Sequence, residues 1–309
     1  MTKIVFPLMQ AMMVAPLLCS AAHAASPNPQ PSTPTPQMRT YVSGAGSDNN
    51  PCIVSSPCRT FRAALALTIA GGEIYVLNSA DYGQVTINKS VSITSEGAVA
   101  GVLASSGVGI TIAAGTSDVV NLRGLDVDGG NTGSVGIQFN SGQSLNIQKT
   151  VVRGFVNTGV NFAPDGASTL YLGDTTLTNN RSSGILVTSS GSGTVNAALN
   201  RVTAMANGVG IFANGANVNV TLTDTMAGNN NYGVGANASA VMVRNSTVSN
   251  NTIGIAADQN AVVRVGQTTI TANGLGWQAL NGGKVESYAN NNVSGNVNDG
   301  TLTSTLALQ

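Results

Sequence analysis

A glycine followed by Ile or Val, and once by Trp, recurs at Gly136, Gly159, Gly184, Gly210, Gly233, Gly254 and Gly276, with separations of 23, 25, 26, 23, 21 and 22 residues. Asparagine runs precede several of these glycines, as in "NNRSSGILVTS" from Asn179, "NNNYGVGANAS" from Asn229 and "NNTIGIAADQN" from Asn250. Self-similarity with a period in the twenties marks a solenoid. Leucine-rich repeats share the period but need a leucine ladder, which is absent, and helical repeats need longer units and strong helix formers. Each unit, such as "VMVRNSTVSNNTIGIAADQN" from Val241, reads as two or three short alternating strands separated by turns. Strands this short cannot make a sheet alone. They pair with the same strands of the next unit, which gives a parallel coil rising about 4.8 Å per turn.

Stacking makes columns. The residue after the glycine gives Ile137, Val160, Ile185, Ile211, Val234, Ile255 and Trp277; two residues on come Phe139, Phe162, Val187, Ala213, Ala236, Ala257 and Ala279. A period of two places both columns on one face, predicted to be the core. The second column shrinks toward alanine as the units shorten, so the tube is expected to narrow toward its C-terminus, with Trp277 closing the core. Between them lies an outward column of Gln138, Asn161, Leu186, Phe212, Gly235, Ala256 and Gln278. Turns that repeat in every coil are expected to stack polar residues: Asp174, Asn200, Asp224, Asn245 and Gln267 in one column, Asn180, Asn230, Asn251 and Asn273 in another. Stacked side-chain amides bond up such a ladder, and asparagine tolerates the left-handed backbone that tight turns need.

Composition agrees with short strands. Only 8% of the 309 residues are charged and 4% aromatic, while 42% are hydrophobic. That is too apolar for disorder and too poorly charged for long salt-bridged helices. Residues 1–24 read as a signal peptide: Lys3, then the apolar "IVFPLMQAMMVAPLL", then the "AHA" cleavage pattern at Ala22–Ala24. The apolar run is too short, and too interrupted by Pro7, Gln10 and Pro16, to span a bilayer. Cleavage removes His23, the only histidine, and Lys3. The mature chain then has no histidine for Ser-His-Asp catalysis or a usual zinc site. Its 13 acidic residues exceed its basic ones by one, leaving no surplus to hold nucleic acid or anionic lipid. Export to the periplasm or beyond follows, with no membrane span in the mature chain.

Residues 25–40, including "SPNPQPSTPTPQM", read as a Pro-rich extended lead. Cys52 and Cys58 are the two mature cysteines and, in an exported chain, are expected to pair. "CRTFRAALALTIAGG" reads as a helix with Phe61, Ala64, Leu65 and Thr68 on one face, stopped by Gly71–Gly72; "EIYVLNS" follows as a strand. A coil stack leaves its first turn open, and this helix is the natural cap. Residues 41–309 then form one domain, with the cap and first strand in 41–80 and the repeats in 118–309.

The segment "YVSGAGSDNNPCIVSSPCRTFRAALALTIAGGEIYVLNSADYGQVTINKSVSIT" from Tyr41, with the later "NNxxxGI" units, resembles right-handed parallel β-helix proteins of the pectin-lyase-like superfamily. The resemblance covers about Tyr41 to the C-terminus. It implies an all-β fold, a single-stranded right-handed parallel β-helix with a short N-terminal capping helix. It also implies the company of polysaccharide lyases, hydrolases and epimerases, beside adhesins and structural proteins. The Gly-His-Gly segment of polygalacturonase-like hydrolases and the Arg-x-Pro-x-x-Arg and Trp-x-Asp-His segments of pectate-lyase-like enzymes are all missing from this sequence.

One charged set remains. In "NLRGLDVDGG", Leu125 and Val127 should point inward and Asp126 and Asp128 outward, about 7 Å apart. That spacing suits the carboxylate pair of an inverting glycosidase, and the same oxygens suit Ca²⁺. One coil on, Arg153 falls near Asp128 with Lys149 close by, and Asp174 lies a coil beyond Lys149. A base with positive charge is what a lyase of uronates needs; alternating charges on a solvated face are the plainer reading. Leu186 and Phe212, outward on adjacent coils, are the candidate contact surface. The sequence thus points to a binding or structural protein at the cell surface or in the periplasm. A polysaccharide or cell-surface component is its expected partner and no cofactor is required. A polysaccharide lyase or glycoside hydrolase of an acidic polymer is the alternative.

Overall fold

The computed structural model describes residues 1–2 and 35–307. The expected signal peptide and most of the Pro-rich lead lie outside the described residues. The chain from Pro34 onward is one compact unit: an all-β parallel solenoid of about 10 turns with one short helix. Three parallel sheets of 12, 10 and 9 strands run its length. One coil shows the plan. Val195–Asn200 lies in the first sheet, Thr203–Met205 in the second and Val209–Asn214 in the third. Each pairs with its counterpart one coil on, Val195 with Val218, Thr203 with Met226 and Val209 with Tyr232.

Alternation decides what is inside. Val195, Ala197 and Leu199 are buried while Asn196 and Ala198 between them are exposed. The two core columns stack in the expected register. Ile137, Val160, Ile185, Ile211, Val234, Ile255 and Trp277 pair in sequence, as do Phe139, Phe162, Val187, Ala213, Ala236, Ala257 and Ala279. Phe139 and Phe162 stack at 4.4 Å between ring centroids. The columns also reach further back than the glycine period, to Ile110 with Ile112 and to Val85 with Ile87. Those coils lack the asparagine runs, so their membership shows in strand pairing alone.

The asparagine ladder is longer than the spacing suggested. Asn180, Asn207, Asn230, Asn251, Asn273 and Asn296 form one run in which the backbone N–H and side-chain Nδ2 of each of the first five donate to Oδ1 of the next, and Asn296 Nδ2 ends it on Asp299 Oδ1. Each Nδ2 also donates to a backbone carbonyl; that of Asn230, for example, reaches Ala204 O at 3.1 Å. The first five of these residues are buried and fully occupied, as buried amides must be. The glycine beyond each asparagine is small for a reason of space. A Cβ on Gly184, Gly210 or Gly233 would stand 2.6–2.7 Å from the next glycine's carbonyl and 2.8–3.0 Å from a ladder Nδ2.

Two expectations need correction. The other polar column runs through Lys149, Asp174, Arg201, Asp224, Asn245 and Gln267, all with positive φ of 48–52°. Arg201, not Asn200, holds the left-handed turn; Asn200 is still in the first sheet, opposite Gly173 and Thr223. The helix is Phe61–Leu67 and stops before the glycines. Thr68 already has extended backbone, and its Oγ1 donates to Ala64 O at 2.7 Å and lies 2.8 Å from Thr40 Oγ1. Gly71 and Gly72 belong to the strand Thr68–Val76. There the register with strand Gln37–Val42 jumps, and a Cβ on Gly72 would meet Met38 O at 2.6 Å. The glycines serve a bulge. That first strand begins at Gln37, inside the segment read as lead.

The helix covers the first coil with Phe61, Ala64 and Leu65, and Phe61 packs on Tyr82 at 5.1 Å. Thr60 caps its N-terminus by accepting from Ala63 N. Asp48 accepts from Arg59 N, Thr60 N and Thr60 Oγ1 at 2.9–3.0 Å, which ties the preceding loop to the cap. Cys52 and Cys58 are joined, with Cα atoms 4.6 Å apart. Among the described residues no helix is long and apolar enough to cross a membrane.

Candidate functional site

Strands Leu125–Asp128 and Val151–Arg153 are neighbours in the second sheet. Their alternation buries Leu125, Val127 and Val152 and turns Asp126, Asp128 and Arg153 outward. Asp126 stands opposite Val151, and Asp128 opposite Arg153. From there the guanidinium reaches both carboxylates. Nε and Nη2 lie 3.0 and 3.1 Å from Asp126 Oδ1 and Oδ2, and Nη1 lies 2.8 Å from Asp128 Oδ2. All three side chains are half-buried, at 29%, 28% and 42% exposure for Asp126, Asp128 and Arg153. The hydrogen bond to Asp126, and then the charge of both acids, hold the Arg153 guanidinium above its usual pKa.

Lys149 lies on the turn between Ser144–Gln148 and Val151–Arg153. It lines a pocket of about 590 Å³ with Asp126, Arg123 and Glu96. Arg123 donates to Gln148 Oε1 at 2.7 Å and pairs with Glu96 at 3.3 Å. One coil beyond Lys149, Asp174 receives two bonds from Arg201, 2.6 and 2.9 Å. Those bonds, and then the charges of Arg201, Lys149 and Arg123, hold its carboxyl below the usual range.

The chemistry available here is limited by that pairing. An inverting pair needs room for water between its carboxyls, and a Ca²⁺ ion needs free oxygens. Arg153 stands on both carboxylates where either would be. Among the described residues no group of three or more His, Cys, Asp or Glu is placed to hold a metal.

The apolar candidates lie on the third sheet. Leu186 and Phe212 are adjacent in register and half-buried. They do not share a groove. Phe212 walls a groove of about 210 Å³ that runs away from Leu186, over Gly235 toward Tyr232, Asp258 and Leu280. Sequence reasoning missed Tyr232, Asp258 and Leu280 as parts of this surface, though Gly235 already marked a gap in the outward column. It also missed Asn207 and Asn296, which stand three residues before Gly210 and Asp299 and so repeat the spacing of Asn230 and Gly233.

Residues 135–298, just over half of the chain, match the family described as right handed beta helix region. The chain belongs to the right-handed β-helix family. Among curated protein sequences none matches it significantly. Among solved structures it is similar to pectate lyase Pel9A, with 14% identity, a TM-score of 0.61 and coverage of 89% of this chain and 79% of that one. It is also similar to the A-module of the Azotobacter vinelandii mannuronan C-5 epimerase AlgE4, with 12% identity, a TM-score of 0.50 and coverage of 77% and 91%. At such identities the likeness is one of fold.

Proposed function

We propose that this β-helix is an exported glycan-binding protein that does not turn over its polymer. The observation that carries the reading is Arg153. Its guanidinium bonds to Asp126 and Asp128 together, so neither carboxylate is held ready as an acid, base or nucleophile, and the arginine is not free to neutralise a substrate carboxylate. The family's missing segments and the histidine-free mature chain support the same conclusion. A glycan is favoured as partner because a pectate lyase and a mannuronan epimerase share the coil, though fold alone assigns no activity. The leader pattern of residues 1–24 and the disulfide support a location outside the cytoplasm.

The alternative, a lyase or hydrolase of an acidic polymer, draws on the pocket where Asp126, Lys149 and Arg123 meet. A panel of neutral and acidic polysaccharides incubated with the exported protein separates the two. Retention is followed by co-sedimentation, and chemistry by unsaturated-product absorbance and reducing ends. Retention without product is the expected result. Product that disappears in the Asp126→Asn, Asp128→Asn double variant would establish the alternative.

A further inference from the structure

The groove beside Phe212 is built differently from the charged cluster. Its floor follows from the outward column Phe212, Gly235, Ala256, Gln278, whose members pair coil by coil. An aromatic ring is followed by no side chain and then by a methyl. A Cβ on Gly235 would stand 3.2 Å from Phe212 Cδ2, so the glycine leaves the flank of the ring open. Tyr232 and Leu280, 39% and 46% exposed, complete an apolar surface. The rim at the far ends of these strands carries Asn237 and Asp258, with Leu280 at the corresponding place one coil on. Asn237 Oδ1 is buried with no hydrogen-bond partner. Asp258 Oδ1 accepts from Gln259 N and Asn281 Nδ2, and among the described residues its Oδ2 accepts from none.

We propose that this groove holds one neutral pyranose ring of a glycan. The C–H face of the ring lies on Phe212 and Tyr232, and a hydroxyl on its edge donates to Asp258 Oδ2. Three features select that ligand. The volume of about 210 Å³ falls below the roughly 300–1,000 Å³ of drug-sized sites, which suits one ring. Aromatic wall and acceptor rim match a body that is apolar on its face and a hydroxyl donor on its edge. Among the described residues Asp258 is the one charged residue lining the groove, and it repels the carboxylate of a uronate. The inference rests on the glycan-binding reading above, deepens it to a ring and a charge class, and places it away from Asp126 and Asp128.

The exported chain is titrated with methyl glucoside, methyl galactoside, methyl N-acetylglucosaminide and glucuronate by saturation-transfer NMR and calorimetry, with polysaccharide retention measured on the same preparations. Variants Tyr232→Ala, Gly235→Leu and Asp258→Asn are compared, each with a thermal melt and a sedimentation profile. At least one neutral glycoside should bind. Affinity should fall roughly tenfold or more in Tyr232→Ala, which alters an exposed side chain and leaves the fold intact, and likewise in Gly235→Leu. Glucuronate should bind more weakly than the neutral sugars, and Asp258→Asn should narrow that difference. If a polysaccharide is retained equally by wild type, Tyr232→Ala and Gly235→Leu, the groove is the wrong site while the glycan reading stands. If no glycoside and no polysaccharide binds, both fail. A change of oligomeric state in Tyr232→Ala, without any change in sugar binding, would assign the groove to a second copy of the chain and overturn the proposal.

Discussion

A Cβ placed on Gly210 would stand 2.9 Å from Nδ2 of Asn230, one coil further along, and 2.7 Å from the carbonyl oxygen of Gly233. The repeated glycine is thus a spacer for the ladder; its φ is not in the left-handed region. Gly210→Ala should cost about 1–3 kcal/mol, because either the buried amide or the parallel strand must move. Gly166→Ala, where no atom lies within 4 Å of the added carbon, should be nearly neutral. Urea denaturation of both variants checks this. Equal losses would mean that close approach is not what keeps position 210 small.

The ladder should carry stability in proportion to its burial. Asn230 Oδ1 accepts from Asn207 N and Nδ2, and Asn230 Nδ2 donates to Ala204 O and Asn251 Oδ1. Asn230→Leu keeps the branched skeleton in a larger side chain, strands the Asn207 N–H and the Ala204 carbonyl, and should cost about 3 kcal/mol or more. The neighbouring Asn231 is exposed, and Asn231→Ala should stay within about 0.5 kcal/mol. Thermal melts that fail to separate the two would show that the amides are satisfied without each other.

Acid sensitivity should centre on Asp118. Its carboxylate accepts from Ser90 Oγ at 2.6 Å, Gly115 N at 2.8 Å and Ser90 N at 3.1 Å. The Ser90 hydroxyl first, with the two backbone donors, holds its pKa below the usual value. A carboxyl depressed in the folded state adds stability above the unfolded value of about 3.9, and that stability is lost as pH falls through the folded one. Asp118→Asn should therefore melt below wild type at neutral pH, and the two curves should converge below about pH 4. A difference that persists undiminished in acid would assign the effect to geometry instead of charge.

Secretion and the disulfide can be checked together. The loop closed by Cys52 and Cys58 docks on the first strand through Tyr41 N to Cys52 O at 2.8 Å and Cys58 N to Tyr41 O at 2.9 Å. Replacing both cysteines with serine should lower stability by about 2 kcal/mol. Intact mass under non-reducing, alkylating conditions should show a chain beginning at Ala25 with no alkylated thiol. Two alkylated thiols would contradict the bond, and a retained 1–24 segment would contradict the leader.

Much of the coil is legible in the amino-acid sequence. Ile211 over Val234 and Phe139 over Phe162 follow from counting two residues along a strand and some twenty between coils. Asn207 carries the same signal in its three-residue distance from Gly210, and "MANGVG" matches the "TANGLG" segment around Asn273, three residues before Gly276. The helix end is harder to read. Two glycines after an apolar helix resemble a stop, yet Thr68 leaves the helix earlier because strand Gln37–Val42 is there to pair with it.

What the sequence by itself determined was the period and the inward face, since burial in a stacked coil needs the same apolar position in every turn and leaves that demand written along the chain. What only the tertiary structure decided was anything that depends on a shift of one residue or on a side chain reaching between coils. Arg201 displaced Asn200 at the left-handed turn because strand Val195–Asn200 kept its sixth residue in the ladder of the sheet. Arg153 closed over Asp126 and Asp128 because the register set it opposite Asp128 and its length covered one coil of rise. The groove at Phe212 opened because the coil beyond it put Gly235, with no side chain, against the ring. These are consequences of where neighbouring coils settle against one another, and local pattern carries no record of that distance.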